Sequence, residues 1–174
     1  MEKNAFNQVL DTLTEENIEA TAAKILEEMD KGKSLHEAAG ITVSMQEEIY
    51  VIAHDYYEQG RYNESLALFQ MLARINPNSF RFIYGLAASY HQIKDFINAS
   101  LGFFTALSLE PFNPMPAFYL ADCFLNLESP EDASRFLDIT IAICEEDRSG
   151  EYKKLMERCK LIRTSLKSKI KPKK

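Results

Sequence analysis

Apolar and small side chains recur along this chain in a helical rhythm. Ile49, Ile52, Ala53 and Tyr56 are spaced three, one and three residues apart, and Ser65, Phe69 and Leu72 follow at four and three. The same order returns 34 residues later as Ile83, Leu86, Ala87, Tyr90, Ala99, Phe103 and Ala106. A weaker third copy reads Ala117, Leu120, Ala121, Phe124, Ala133, Leu137 and Thr140. The first two copies end in Pro77 and Pro111, and the third has Glu145 instead. No segment sustains the period-two alternation of a half-buried strand, so the pattern predicts an all-α fold of helix pairs.

Helix signals punctuate that rhythm. Ser44 and Glu47 are spaced as a capping box opening the first pair, and Gly60 is placed to close its first helix. Asn78 is the expected cap of the second pair. Asn113 and Ser129 each precede a proline at a first helical position. Tyr152, Leu155, Cys159, Ile162 and Leu166 form one stripe on an expected helix over about 149–168. Ile18, Ala22, Ile25, Leu26 and Met29 form another toward the N-terminus, followed by a Ser34/Glu37 capping box and Gly40. Stacked pairs need covers at both ends, and these two helices are the expected covers. The chain divides accordingly into an N-terminal helical segment (1–43), three helix pairs (about 45–78, 79–112 and 113–147) and a C-terminal capping helix with a basic tail (148–174).

The period, and the alternation of large, small and aromatic positions, resembles the tetratricopeptide repeat: three tandem helix-turn-helix units forming a concave solenoid. In that register the first helix of each repeat turns a second face inward, through Glu47, Tyr50, His54 and Tyr57, then Arg81, Tyr84, Ala88 and His91, then Met115, Phe118, Asp122 and Leu125. Sixteen of the 19 aromatic residues lie between 50 and 124, more than the repeat core requires. Tyr50, His54, Tyr57, Tyr84, His91, Met115, Phe118, Asp122 and Leu125 are therefore the candidate lining of a peptide-binding groove, apolar but tipped with polar groups.

Charge and motif content narrow the chemistry. Residues 1–60 carry 13 acids against 4 bases, and the last eight residues hold five lysines, within a net charge of −6. An acidic body argues against a nucleic-acid binder. Neither His54 nor His91 has a partner at the sequence spacing of a metal ligand or general base, and His36 is assigned no role. Phosphate loops, dinucleotide fingerprints and nucleophile elbows are absent, so no catalytic residue, metal or cofactor is expected. Cys123, Cys144 and Cys159 lack zinc or disulfide spacing and read as small core residues. No run approaches a membrane span, and the first residues lack the features of a signal peptide, so no membrane insertion and a cytoplasmic location are expected.

Beyond the repeats, the order of an acidic N-terminal helix, the stretch GKSLHEAAGITVSMQEEIY, two further repeats and a closing helix resembles the class II (translocator) chaperones of bacterial type III secretion, the LcrH/SycD family. The motif G-K-S-L-x-E-x-x-G-I is its most discriminating part, and the likeness spans about residues 15–166. It implies a cytoplasmic, non-enzymatic chaperone that holds an extended segment of a hydrophobic translocator protein in its groove. It also implies a homodimer formed through residues 1–30. Tyr50, His54 and Tyr57 match the family's first-repeat groove positions, with His54 standing where an aromatic often occurs. Two alternatives stay open: a general tetratricopeptide adaptor and a structural subunit of a larger complex. The adaptor mode that clamps a C-terminal carboxylate needs inner-face Lys, Arg and Asn, where this chain has Tyr50, His54, Gly85, Met115 and Tyr119.

Overall fold

The computed structural model describes residues 18–33 and 35–169, with side chains described over 23–33 and 37–166. Among these the chain is helical, without strands: α1 (Ile18–Asp30), α2 (Leu35–Ala38), α3 (Val43–Glu58), α4 (Tyr62–Ile75), α5 (Phe80–Gln92), α6 (Phe96–Leu109), α7 (Pro114–Asn126), α8 (Pro130–Glu146) and α9 (Lys153–Lys169). From α3 onward each helix packs on the next, and α3 also reaches α5, as expected of stacked helix pairs. The two helices of each repeat are α3/α4, α5/α6 and α7/α8.

Small residues set the approach of these helices. Ala53, Ala87, Ala99, Ala106, Ala117 and Ala133 are fully buried, and Phe103, Leu72 and Phe69 fill the space between them. Three core clusters result. One joins Ile49, Ala53, Phe69, Leu72 and Phe82. A second joins Ala87, Ala99, Phe103, Leu120 and Cys123. The third joins Phe118, Ala121, Ala133, Leu137, Ile141, Cys159 and Leu166. The buried Ser65 and Ser89 hydroxyls lie 3.1 Å apart, and Ser89 also donates to the Gly85 carbonyl at 2.9 Å, so neither is orphaned.

The turn inside each repeat is the same structure built from different residues. Gly60, Lys94 and Glu128 stand 34 residues apart and all have positive φ, at 76°, 65° and 58°. In each case the backbone N–H groups of that residue and the next bond back to the closing turn of the helix. The bonds run from Gly60 to Tyr57 and Arg61 to Tyr56, from Lys94 to His91 and Asp95 to Tyr90, and from Glu128 to Leu125 and Ser129 to Phe124. These are Schellman caps, and only the first uses the glycine that marks one in sequence.

Several boundaries depart from the sequence reading. The α3 cap is Thr42, whose hydroxyl accepts from the Met45 N–H, so Ser44 lies inside the helix. Ser79 rather than Asn78 precedes α5. Asn113 caps α7 as expected, whereas Ser129 precedes α8 but turns its hydroxyl to the Asp132 carboxylate. The expected Ser34 box lies outside the described residues. Lacking a terminal proline, α8 continues to Glu146. α9 then starts at Lys153 rather than near 149, because the Asp147 carboxylate accepts from both the N–H and the hydroxyl of Ser149 and shapes an intervening turn. α9 covers the last repeat through Cys159 and Leu166, and the ion pairs Lys160–Glu145 (2.8 Å) and Arg163–Asp138 fix it at the rim.

The N-terminal end is different. α1 packs chiefly on α2, and its Leu26 and Met29 remain 62% and 40% exposed instead of covering the first repeat. Ile52, expected in the core, is consequently 37% exposed, while Leu120 at the same place in the third repeat is 1% exposed. Val43 and Val51 of α3 are exposed as well, among the described residues. All three cysteines are free and buried, in keeping with a packing role; burial pushes the Cys123 thiol up to about 12 and Cys159 to about 11.

The shared left-handed cap gives a direct test. Gly60→Ala places a Cβ at φ 76° and is expected to lower unfolding free energy by about 1 kcal/mol, while Lys94→Ala, already in that conformation with a Cβ, stays nearly neutral. Urea titration of both variants checks the contrast.

Candidate functional site

The inward faces of α3 and α5 meet the start of α7 around a cavity of about 310 Å³, lined by Tyr50, His54, Tyr57, Glu58, Phe69, Phe80, Arg81, Tyr84, Gly85, Ala88 and Tyr119. Four sequence candidates are thus brought together: Tyr50, His54, Tyr57 and Tyr84. Their spacing along α3, at four, three and then a matching place on α5, puts them on one side of adjacent helices.

Ring packing fixes the walls. Tyr50 meets Phe69 edge to face at 5.9 Å and Tyr84 meets Tyr119 likewise at 6.2 Å, while Tyr119 stacks on Phe103 at 5.1 Å. Arg81 lies over the Tyr50 ring at 3.9 Å and reaches the Glu47 carboxylate at 3.0 Å, so its charge is satisfied across the first two repeats. The Gln92 amide donates to the Tyr57 hydroxyl at 3.1 Å. Burial raises the pKa of both Tyr57 and Tyr84, and their hydroxyls remain protonated donors at neutral pH.

The remaining candidates sit elsewhere. His91 and Asp122 pair at 2.7 Å, joining the second and third repeats, with the His91 ring against Phe96 and Tyr119. That pair crosses between helices and is invisible to spacing along one of them, whereas His54, against expectation, has a carboxylate neighbour within spacing, Glu58 four residues along α3 at 3.9 Å. Phe118 is 8% exposed within the cluster built by α8 and α9, and Leu125 packs against the same cluster. Arg158 lies over the Phe118 ring at 5.1 Å. The capping helix therefore reaches the inner face of the third repeat at Phe118. Met115 is half-buried in the first turn of α7 and does not line the cavity.

Tyr50 and Tyr84 are shared between cavity and core, since Tyr50 also packs on the first hydrophobic cluster and Tyr84 on the second. Glu58, Phe69, Phe80, Gly85 and Tyr119 line the cavity without being in the expected lining. Phe69 reaches the cavity because Gly85 carries no side chain: a Cβ there would stand 2.3 Å from the Phe69 ring. Among the described residues no cluster of His, Cys, Asp and Glu is arranged to hold a metal, and no helix is long and apolar enough to cross a membrane.

A tetratricopeptide-repeat family model matches residues 82–102. The chaperone protein SicA of Salmonella typhimurium is 25% identical over 129 residues, covering 74% of this chain and 78% of SicA. A type III secretion complex from Aeromonas hydrophila superposes with a TM-score of 0.75 at 21% identity, covering 83% of this chain and 95% of that one. The Yersinia enterocolitica chaperone SycD, in complex with a peptide of the translocator YopD, superposes with a TM-score of 0.70 at 22% identity, over 75% and 98% of the two chains. The fold is that of the type III secretion translocator chaperones.

Gly85→Ala tests the cavity's construction. Displacing the Phe69 ring is expected to cost about 1–3 kcal/mol of stability. Chemical denaturation reads this, and a neutral result would mean that the ring has another place to go.

Proposed function

We propose that this protein is a type III secretion chaperone that binds a hydrophobic translocator protein before export. The observation that carries the reading is the preformed, aromatic-walled cavity on the concave side of a fold shared with SycD, which is seen with a YopD peptide. PcrH has the same fold in complex with the chaperone-binding region of PopD. An extended client segment lies along the inner faces of α3 and α5, its apolar side chains entering the space bounded by Tyr50, His54, Tyr57 and Tyr84. His91, Asp122, Met115, Phe118 and Leu125 belong to the same inner register, the first two as a polar clasp between repeats and the last two as support from beneath.

Holding one segment lowers the free concentration of an aggregation-prone chain by mass action. This needs no nucleotide, cofactor or catalytic group, and the protein acts in the bacterial cytosol without enzymatic activity. Residues 1–30 form a homodimer surface. Among the described residues the exposed Leu26 and Met29 of α1, together with the exposed Val43, Val51 and Ile52 of the first repeat, favour that placement.

Affinity purification from the native cytosol, with mass spectrometry of co-eluting proteins, tests the reading. Wild type is expected to retain one or two hydrophobic exported proteins. His54→Glu/Tyr57→Glu, on the accessible wall, is expected to weaken that binding by about tenfold or more with helicity unchanged. A soluble, non-exported partner held equally by both proteins would replace the chaperone reading with that of a general adaptor.

A further inference from the structure

The cavity between α3 and α5 is larger than a small aliphatic side chain needs. A cavity of about 150 Å³ lined by apolar residues suffices to hold benzene, and this one has about 310 Å³. Its floor is the small inward residue Ala88 of α5 and the edge of the Phe69 ring, which lies against Gly85. Above that floor the walls are ring edges and faces, already arranged in tilted and edge-to-face pairs. Charge does not decide the occupant, because Arg81 is turned onto Tyr50 and paired with Glu47, and His54 faces Glu58 at 3.9 Å. Tyr57 accepts a hydrogen bond from Gln92, which leaves its own proton available for an incoming acceptor.

We infer that the cavity selects an aromatic side chain of the bound segment, with Ala88 and the Phe69 ring edge setting its floor and the Tyr57 hydroxyl donating to the adjacent backbone carbonyl. A ring inserted among rings gains edge-to-face contacts that leucine or proline does not, a preference of roughly two- to tenfold. The carbonyl bond orients the backbone so that the ring points down to Ala88 rather than across the rim. This specificity deepens the chaperone reading and rests on it for its biological meaning, but the selectivity of the cavity is measurable alone.

Methyl NMR of the full chain, observing the Ala88 signal, is the experiment. Wild type is titrated with N-acetylphenylalaninamide, N-acetylleucinamide and N-acetylprolinamide. The phenylalanine probe is expected to shift Ala88 and to bind at least about twofold more tightly than either other probe. Tyr57→Phe is expected to weaken it by about three- to tenfold, and Ala88→Leu, followed by saturation transfer to the probe because the Ala88 methyl is gone, to abolish it. Equal or tighter binding of leucine or proline, or a phenylalanine complex indifferent to Tyr57→Phe, would overturn the proposal. Either result leaves capture of an exported protein by wild type untouched, so failure here is distinct from failure of the chaperone reading.

Discussion

The Phe69 ring lies where a side chain on residue 85 would be, and the concave surface depends on that contact. Because Gly85 has no Cβ, the ring lies against the α5 backbone and its edge forms part of the cavity floor. The same economy recurs one layer on, where a Cβ on Gly102 would stand 2.8 Å from that of Ala87. Close approach of successive helices is bought with small residues, and the aromatic side chains take up the volume that remains.

One consequence is that groove and core are not separate inventories. Tyr50 and Tyr84 pack on buried clusters with one part of their rings and bound the cavity with another. Their rigidity costs little on binding, because packing in the free protein already holds them. His54 and Tyr57, nearer the rim, carry less of the fold and more of the accessible surface. The far end of the inner face is governed differently, since α9 lies against Phe118 and the third cluster. The open part of the concave surface is thereby biased toward the first two repeats.

Repeat number, helix class and most core positions were legible because the 34-residue period links each small residue to a counterpart whose burial has the same cause. Legibility failed where neighbours outside the repeat decide the environment. Ile52 occupies a core position yet is exposed, because α1 does not cover it, whereas Phe118 occupies a groove position yet is buried by α9. Lys94 and Glu128 hid two turns that Gly60 announced, since the Schellman hydrogen bonds outweigh the local preference against positive φ. Tyr119 was overlooked as lining because it sits one residue beyond the inward register and reaches the cavity by stacking on Phe103.

The central claim is that the cavity-bearing inner face is where the client lies. A photo-crosslinking amino acid placed at His54, beside the cavity, and at Arg135, on an exposed part of α8, tests it in the native cell. The expected result is a crosslink from position 54 to one short apolar segment of an exported protein, with none from position 135. Crosslinks from 135 alone, with the complex intact, would place the client on another surface and contradict the claim.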